Sequence, residues 1–223
     1  MTVTPETVKQ MLSSEDLGER LRAVNQIREL EDTAVAFELA QSAVQDTNAR
    51  VRYSAVSQMD TLGGQNLQVS LNLLRDRLKN DPEPDVQAAA ADCIGALKLT
   101  EAYTDLEQLY HSTNEWLIKF SIVATLGELG DPRSFDLLKE ALDSDIDLVK
   151  TAAISSLGDL KDQRAVELIA PHVTNTDWQV RYRAAQSLGK LGGTQAQSVL
   201  KEMVNDEVEA VAQEAKTALE QIG

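Results

Sequence analysis

Apolar residues recur along this chain at a spacing that belongs to one face of a helix, and the same helix returns every thirty-odd residues. The run Val149-Lys150-Thr151-Ala152-Ala153-Ile154-Ser155-Ser156-Leu157-Gly158 aligns with Val180-Arg181-Tyr182-Arg183-Ala184-Ala185-Gln186-Ser187-Leu188-Gly189, 31 residues further on. Taking the first apolar residue of each run as an anchor, the anchors fall at Glu19, Val51, Val86, Ile118, Val149, Val180 and Val211, in steps of 32, 35, 32, 31, 31 and 31. Counted from the anchor as zero, apolar residues occupy 0, +4, +5, +8 and +11, as in Val51, Ala55, Val56, Met59, Leu62 and in Ile118, Ile122, Val123, Leu126, Leu129. At about 100° per residue these positions form one stripe. The stripe breaks at the ends, where Glu19 takes an anchor position and Lys216 the +5 position. A polar substitution there is what a terminal repeat needs, so both ends read as caps of a complete array.

Between these B helices lie shorter apolar segments, Ser134 to Leu142 and Ala165 to Ile169 among them, which read as A helices. They are entered through the turns Gly130-Asp131-Pro132-Arg133, Lys161-Asp162-Gln163-Arg164 and Gly192-Gly193-Thr194. Pro132 suits a first helical turn, as does Pro5 after Thr4. The step of 35 falls at Asn80-Asp81-Pro82-Glu83-Pro84-Asp85, whose two prolines and three acids predict a stiff, exposed connection near 80–85. A period of this size marks a helical-repeat array. The expected fold is all-α, a right-handed α-solenoid of about seven helical hairpins forming one domain over residues 1–223.

Composition narrows the function rather than the fold. The formal charge of −15 opposes a phosphate backbone or an anionic membrane surface, so neither nucleic acid nor membrane is an expected partner. No apolar run approaches the roughly 20 residues that span a bilayer, and no leader precedes the first helix. The single cysteine, Cys93, has no internal disulfide partner and fits a reducing compartment. His111 and His172 stand far apart and compose no metal-ligand cluster. No phosphate-binding loop, nucleophile elbow or zinc-protease helix is present.

Several repeated polar positions have structural explanations. Position +1 is basic in Arg20, Arg52, Lys119, Lys150 and Arg181, and an acid or amide lies five residues before an anchor in Asp46, Asp81, Asn175 and Asp206. These columns are expected to pair at the turns between repeats, although they also resemble an anion-binding ladder. Glycine recurs at +9 as Gly95, Gly127, Gly158 and Gly189. A helical glycine costs about 1 kcal/mol relative to alanine, so a neighbouring helix is expected to press against it. Cys93, at +7, is either an inert thiol beside the core stripe or a reactive one.

Positions +2, +6 and +10 point away from the stripe and are expected to line the concave face. The +2 column holds Tyr53, Phe120 and Tyr182, three of nine aromatic residues, with Arg22 and Arg183 following at +3. Trp116 and Trp178 each stand two residues before an anchor, either as recognition residues or as staples over the turn. Aromatic and arginine side chains exposed at repeat spacing suit a macromolecular partner.

The turn acids, the basic +1 residue, the paired alanines and runs such as Leu126-Gly127-Glu128-Leu129-Gly130-Asp131 resemble the HEAT-like repeat of the phycobilisome lyases of cyanobacteria. Length and divergence between repeats are most similar to the members concerned with phycobilisome degradation. The resemblance implies a cytoplasmic protein that binds phycobiliprotein subunits, phycocyanin or allophycocyanin, and acts on or releases their thioether-linked phycocyanobilin. The bilin would be substrate or ligand, with no cofactor. A protease or its adaptor would be a further partner. Detachment would need an acid or base, for which Asp92, beside Cys93, is the nearest inward-facing carboxylate. The alternative is a non-catalytic adaptor that docks a protein partner on the same face.

Overall fold

The apolar stripes fold into the helices that their spacing predicts, apart from a break in the second. The structure, a computed structural model, describes residues 3–222, and no strand occurs among them. Two compact units divide the chain, Met1–Ile122 and Val123–Gly223.

In the first unit the hairpins are α1 (Pro5–Leu12) with α2 (Leu17–Ile27), α3 (Thr33–Ala43) with α4 (Ala49–Val56) and α5 (Met59–Leu62), and α6 (Leu67–Asn80) with α7 (Pro84–Ala96). Helices α8 (Tyr103–Ser112) and α9 (Trp116–Leu129) follow, and α9 ends in the second unit. Short polar side chains start five of these helices. Thr4 and Thr7 bond reciprocally across the first turn of α1, Asp16 and Asp32 cap α2 and α3, and Asn48 and Asn66 cap α4 and α6. The B helices touch in the order α2, α4, α7.

In the second unit α10 (Ser134–Ala141) pairs with α11 (Asp147–Leu160), α12 (Ala165–Ile169) with α13 (Trp178–Leu191), and α14 (Gly193–Met203) with α15 (Glu209–Ile222). The B helices α11, α13 and α15 pack in sequence. The stripe residues form the core of both units. Val51, Ala55, Val56 and Met59 are fully buried, as are Val149, Ala153, Ile154 and Leu157. Each large aliphatic side chain buried this way contributes about 1.5–3 kcal/mol. Glu19 and Lys216, the polar residues within the stripe pattern, are exposed.

The +9 glycines are sites of close approach. A Cβ on Gly127 would lie 2.6 Å from the Cα of Ser156, and one on Gly158 would lie 2.7 Å from the Cβ of Ser187. On Gly189 it would meet the Cβ of Ala218 at 2.8 Å. Each glycine therefore faces the small +7 residue of the next repeat, and glycine is what lets the B helices approach.

The +1 and −5 columns pair with one another. Arg20 Nε donates to Asp46 Oδ2 at 2.8 Å, Arg52 Nε to Asp81 Oδ2 at 2.7 Å, and Arg181 Nε to Asp206 Oδ2 at 2.7 Å. In each case Nη1 of the same arginine donates to two backbone carbonyls of its own turn: Ser14 and Glu15, Asp46 and Thr47, or Asn175 and Thr176. One guanidinium thus fastens two consecutive turns through its planar array of donors, which a lysine lacks.

Four local expectations are corrected. Asp81 is buried rather than exposed, because Arg52 and Arg77 both donate to its carboxylate and the Glu83 N–H donates to it as well. The second B helix is interrupted between α4 and α5. There Gln58, buried at +7 where the later repeats carry small residues, donates through Nε2 to Val24 O and Ser54 O, and its own N–H slips to Ala55 O. Pro132 lies in the turn, two residues before α10 starts, and α14 begins at Gly193, within the predicted turn. Gly192 there has φ +65°, a left-handed conformation that glycine adopts without strain.

Candidate functional site

Residues one helical turn apart on the B helices share a face, so the positions −1, +2, +3 and +6 form a second stripe beside the core one. In the first unit this stripe borders a groove of about 790 Å³. Helix α2 contributes Leu21 and Asn25, α4 contributes Arg50, Tyr53 and Ser54, α7 contributes Asp85, Ala88, Ala89 and Asp92, and α9 contributes Leu117 and Ser121. Glu83, which precedes α7, completes the acidic side.

Tyr53 stands 47% exposed at the groove. Around it the groove offers three carboxylates, Glu83, Asp85 and Asp92, against one guanidinium, Arg50. Small residues, Ala88 and Ala89, give the floor. The arrangement combines a flat aromatic face, hydrogen-bond acceptors for N–H groups and one cationic contact for an anionic arm. That suits a planar amphipathic ligand or a polar surface segment of a protein.

Two of the candidates from the sequence, Tyr53 and Asp92, meet at this groove. Cys93 is not in it. The thiol is buried and donates to Val56 O at 3.1 Å, and burial foremost, with the charges of Asp60 and Asp92, pushes it up to about 12. A thiol so held is not a thiolate at neutral pH, which favours the inert of the two readings of Cys93. Arg22 is exposed on α2 and Phe120 half-buried on α9; neither lines the groove. Trp116, also outside it, is the first residue of α9 and 48% exposed.

The remaining candidates lie on α13 in the second unit. Trp178 opens the helix and is 43% exposed. Tyr182 is half-buried. A hydrogen bond with the Glu214 carboxylate raises its phenol above the ordinary value, and Gln186 Nε2 donates to the same oxygen at 3.3 Å. Arg183 is exposed and donates to Gln186 Oε1 at 3.0 Å. A second cavity, of about 420 Å³, opens near the starts of α11 and α13 and includes Lys150, His172 and Asn175.

Arg50, Asp85 and Glu83 were missed by reading outward from the anchor. The first two occupy the −1 position of their repeats, one turn before +3, and extending the stripe upstream by that turn finds both. Among the described residues no group of three or more histidine, cysteine or acidic side chains is placed to hold a metal ion. No helix among them is long and apolar enough to cross a membrane.

The HEAT repeats family model matches residues 71–158 and 147–220, more than half of the chain. The chain belongs to the HEAT-repeat family. Among curated proteins none matches the sequence of this HEAT-repeat protein. Among solved structures it is similar to a chain of the complex of CpcE and CpcF of phycocyanin lyase from Nostoc sp. PCC7120. The identity is 19%, with 100% of this chain and 96% of that chain covered and a TM-score of 0.66. It is also similar to the archaeal HEAT-like repeats protein of Thermococcus onnurineus NA1, at 14% identity, 100% and 98% coverage and a TM-score of 0.61. Escherichia coli YibA follows at 15% identity, 98% and 93% coverage and a TM-score of 0.59. At these identities the likeness is one of fold.

Proposed function

We propose that this HEAT-repeat protein binds phycobiliprotein subunits and handles their thioether-linked phycocyanobilin, detaching it during phycobilisome breakdown in the cytoplasm, as the resemblance to the degradation protein NblB suggests. The observation that carries the reading is the groove of the first unit. Tyr53 supplies a face for a planar tetrapyrrole, Asp92 an acceptor for its pyrrole N–H groups, and Arg50 a partner for a propionate. The likeness in fold to a chain of the phycocyanin lyase complex supports the same direction.

Detachment is an elimination. The C–S bond breaks, sulfur leaves with its electron pair on the cysteine of the partner, and the proton of the adjoining ring carbon passes to a base. The new double bond remains in the bilin. Asp92 is the carboxylate we assign to receive that proton.

The test is to mix the purified protein with chromophorylated phycocyanin α-subunit, follow visible absorbance, and separate protein-linked from released bilin under denaturing conditions. Loss of linked bilin is expected, slowed at least about tenfold by Asp92→Asn, in line with the usual contribution of a general base. Unchanged bilin in a stable complex would instead establish an adaptor. That second reading is favoured by one observation, the burial of the only cysteine thiol. An adaptor would hold a phycobiliprotein for a protease.

A further inference from the structure

In the second unit one rung of the arginine–aspartate ladder is open, and the opening is a cavity. At the closed rung Asp206 Oδ1 accepts from Val208 N–H, while Oδ2 accepts from Arg181. At the open rung Asn175 keeps the first of these bonds, its Oδ1 accepting from Asp177 N–H at 2.8 Å. Its second side-chain atom is Nδ2, a donor where the closed rung has an acceptor. The opposing residue is Lys150, whose ammonium comes only within 3.6 Å of Asp147, a carboxylate that is 95% exposed and therefore weakly attractive. Two donors thus line a space of about 420 Å³ at the rung where the carboxylate–guanidinium pair is missing, and Asp147 lines it beside Lys150. Asp177 also borders the space, but its Oδ1 accepts from Gln179 N–H. His172, half-buried, completes the wall; burial and then Lys150 lower its pKa and keep it neutral. Exposed apolar side chains follow both bordering acids in sequence, Leu148 after Asp147 and Trp178 after Asp177, outside the cavity lining itself.

We propose that this open rung is a carboxylate-binding subsite, at which Lys150 and Asn175 hold an aspartate or glutamate side chain of a partner polypeptide whose neighbouring residues cover the exposed Leu148 and Trp178. A free small dicarboxylate would satisfy the two donors but would leave Leu148 and Trp178 in water. The proposal stands independently of bilin chemistry in the first unit.

The experiment uses the full chain carrying Trp116→Phe, so that fluorescence reports Trp178 alone, and follows the Asn175 side-chain amide by NMR. The probes are acetyl-Leu-Glu-Leu-amide, its glutamine counterpart and glutarate. The glutamate peptide is expected to shift both signals and to bind about tenfold more tightly than the glutamine peptide, as a charge-assisted hydrogen bond would give. Glutarate is expected to bind more weakly than the glutamate peptide. Lys150→Met should abolish the preference for glutamate over glutamine. Lys150→Arg combined with Asn175→Asp should close the rung, raise Tm and abolish binding. Equal binding of the two peptides, or undiminished binding to the closed double variant, would overturn the proposal. Glutarate binding as tightly as the glutamate peptide would overturn the polypeptide partner and leave a small-carboxylate site.

Discussion

At Asp81 three donors converge on one carboxylate: the Arg52 guanidinium, Arg77 Nη1 at 3.2 Å and the Glu83 N–H at 3.1 Å. Burial is the largest influence and raises its pKa, but the hydrogen bonds from Arg52 and Glu83 and the charges of Arg52 and Arg77 outweigh it and leave it below the ordinary value. Removing the carboxylate strands a buried guanidinium, so Asp81→Ala is expected to cost about 3–5 kcal/mol, measured by urea denaturation. Cys93 makes the opposite case, a reactive atom made inert by its surroundings. With native protein at pH 8 a thiol reagent is expected to label it only as fast as the protein unfolds; rapid stoichiometric labelling would contradict its burial. The sequence left Cys93 open because a +7 position borders the core stripe, and only the contact with Val56 decides on which side it falls.

The helices themselves were largely legible. Period, anchors and stripe follow from backbone geometry, which is the same in every repeat, and the A helices Ser134–Ala141 and Ala165–Ile169 lie where their apolar segments predict. What could not be read were departures that depend on one side chain finding a distant partner. The break in the second B helix needs Gln58 to reach Val24, 34 residues away, and the buried turn at Asp81 needs Arg52, 29 residues away. The groove was half legible, since Tyr53 and Asp92 follow from period alone while Arg50, Asp85 and Glu83 lie upstream of the anchors. Between helices the glycines set the distance. Gly158→Ala would gain about 1 kcal/mol in helix propensity but force a methyl to within 2.7 Å of Ser187. Overpacking of this kind costs about 1–3 kcal/mol, more where backbone must move, so net destabilisation is expected in thermal melts.

For the molecule as a whole, pH acts through groups in both units. Asp81 and Asp206 are held below the ordinary carboxylate value, Asp206 chiefly by its hydrogen bond from Arg181. Their contribution to stability is complete above that ordinary value and is lost as pH falls through the lower folded values. His172 is also lowered, by burial first, so the unfolded chain takes up its proton more readily and stability declines as pH drops below about 6.5. Urea midpoints are therefore expected to fall in two stages on acidification, and His172→Gln should remove the earlier one. The ladder has one more consequence, for how such a chain is rearranged. Because each ladder arginine fastens its own turn to the aspartate of the next, the ionic pair of each closed rung straddles two consecutive hairpins. A cassette cut between hairpins at a closed rung leaves one half of the pair behind, and the second hairpin loses the partners of both Asp46 and Arg52. Cut instead at the start of one B helix and just past the following turn, the cassette carries its pair intact, so splice points for shuffling or lengthening this protein belong in the middle of its hairpins.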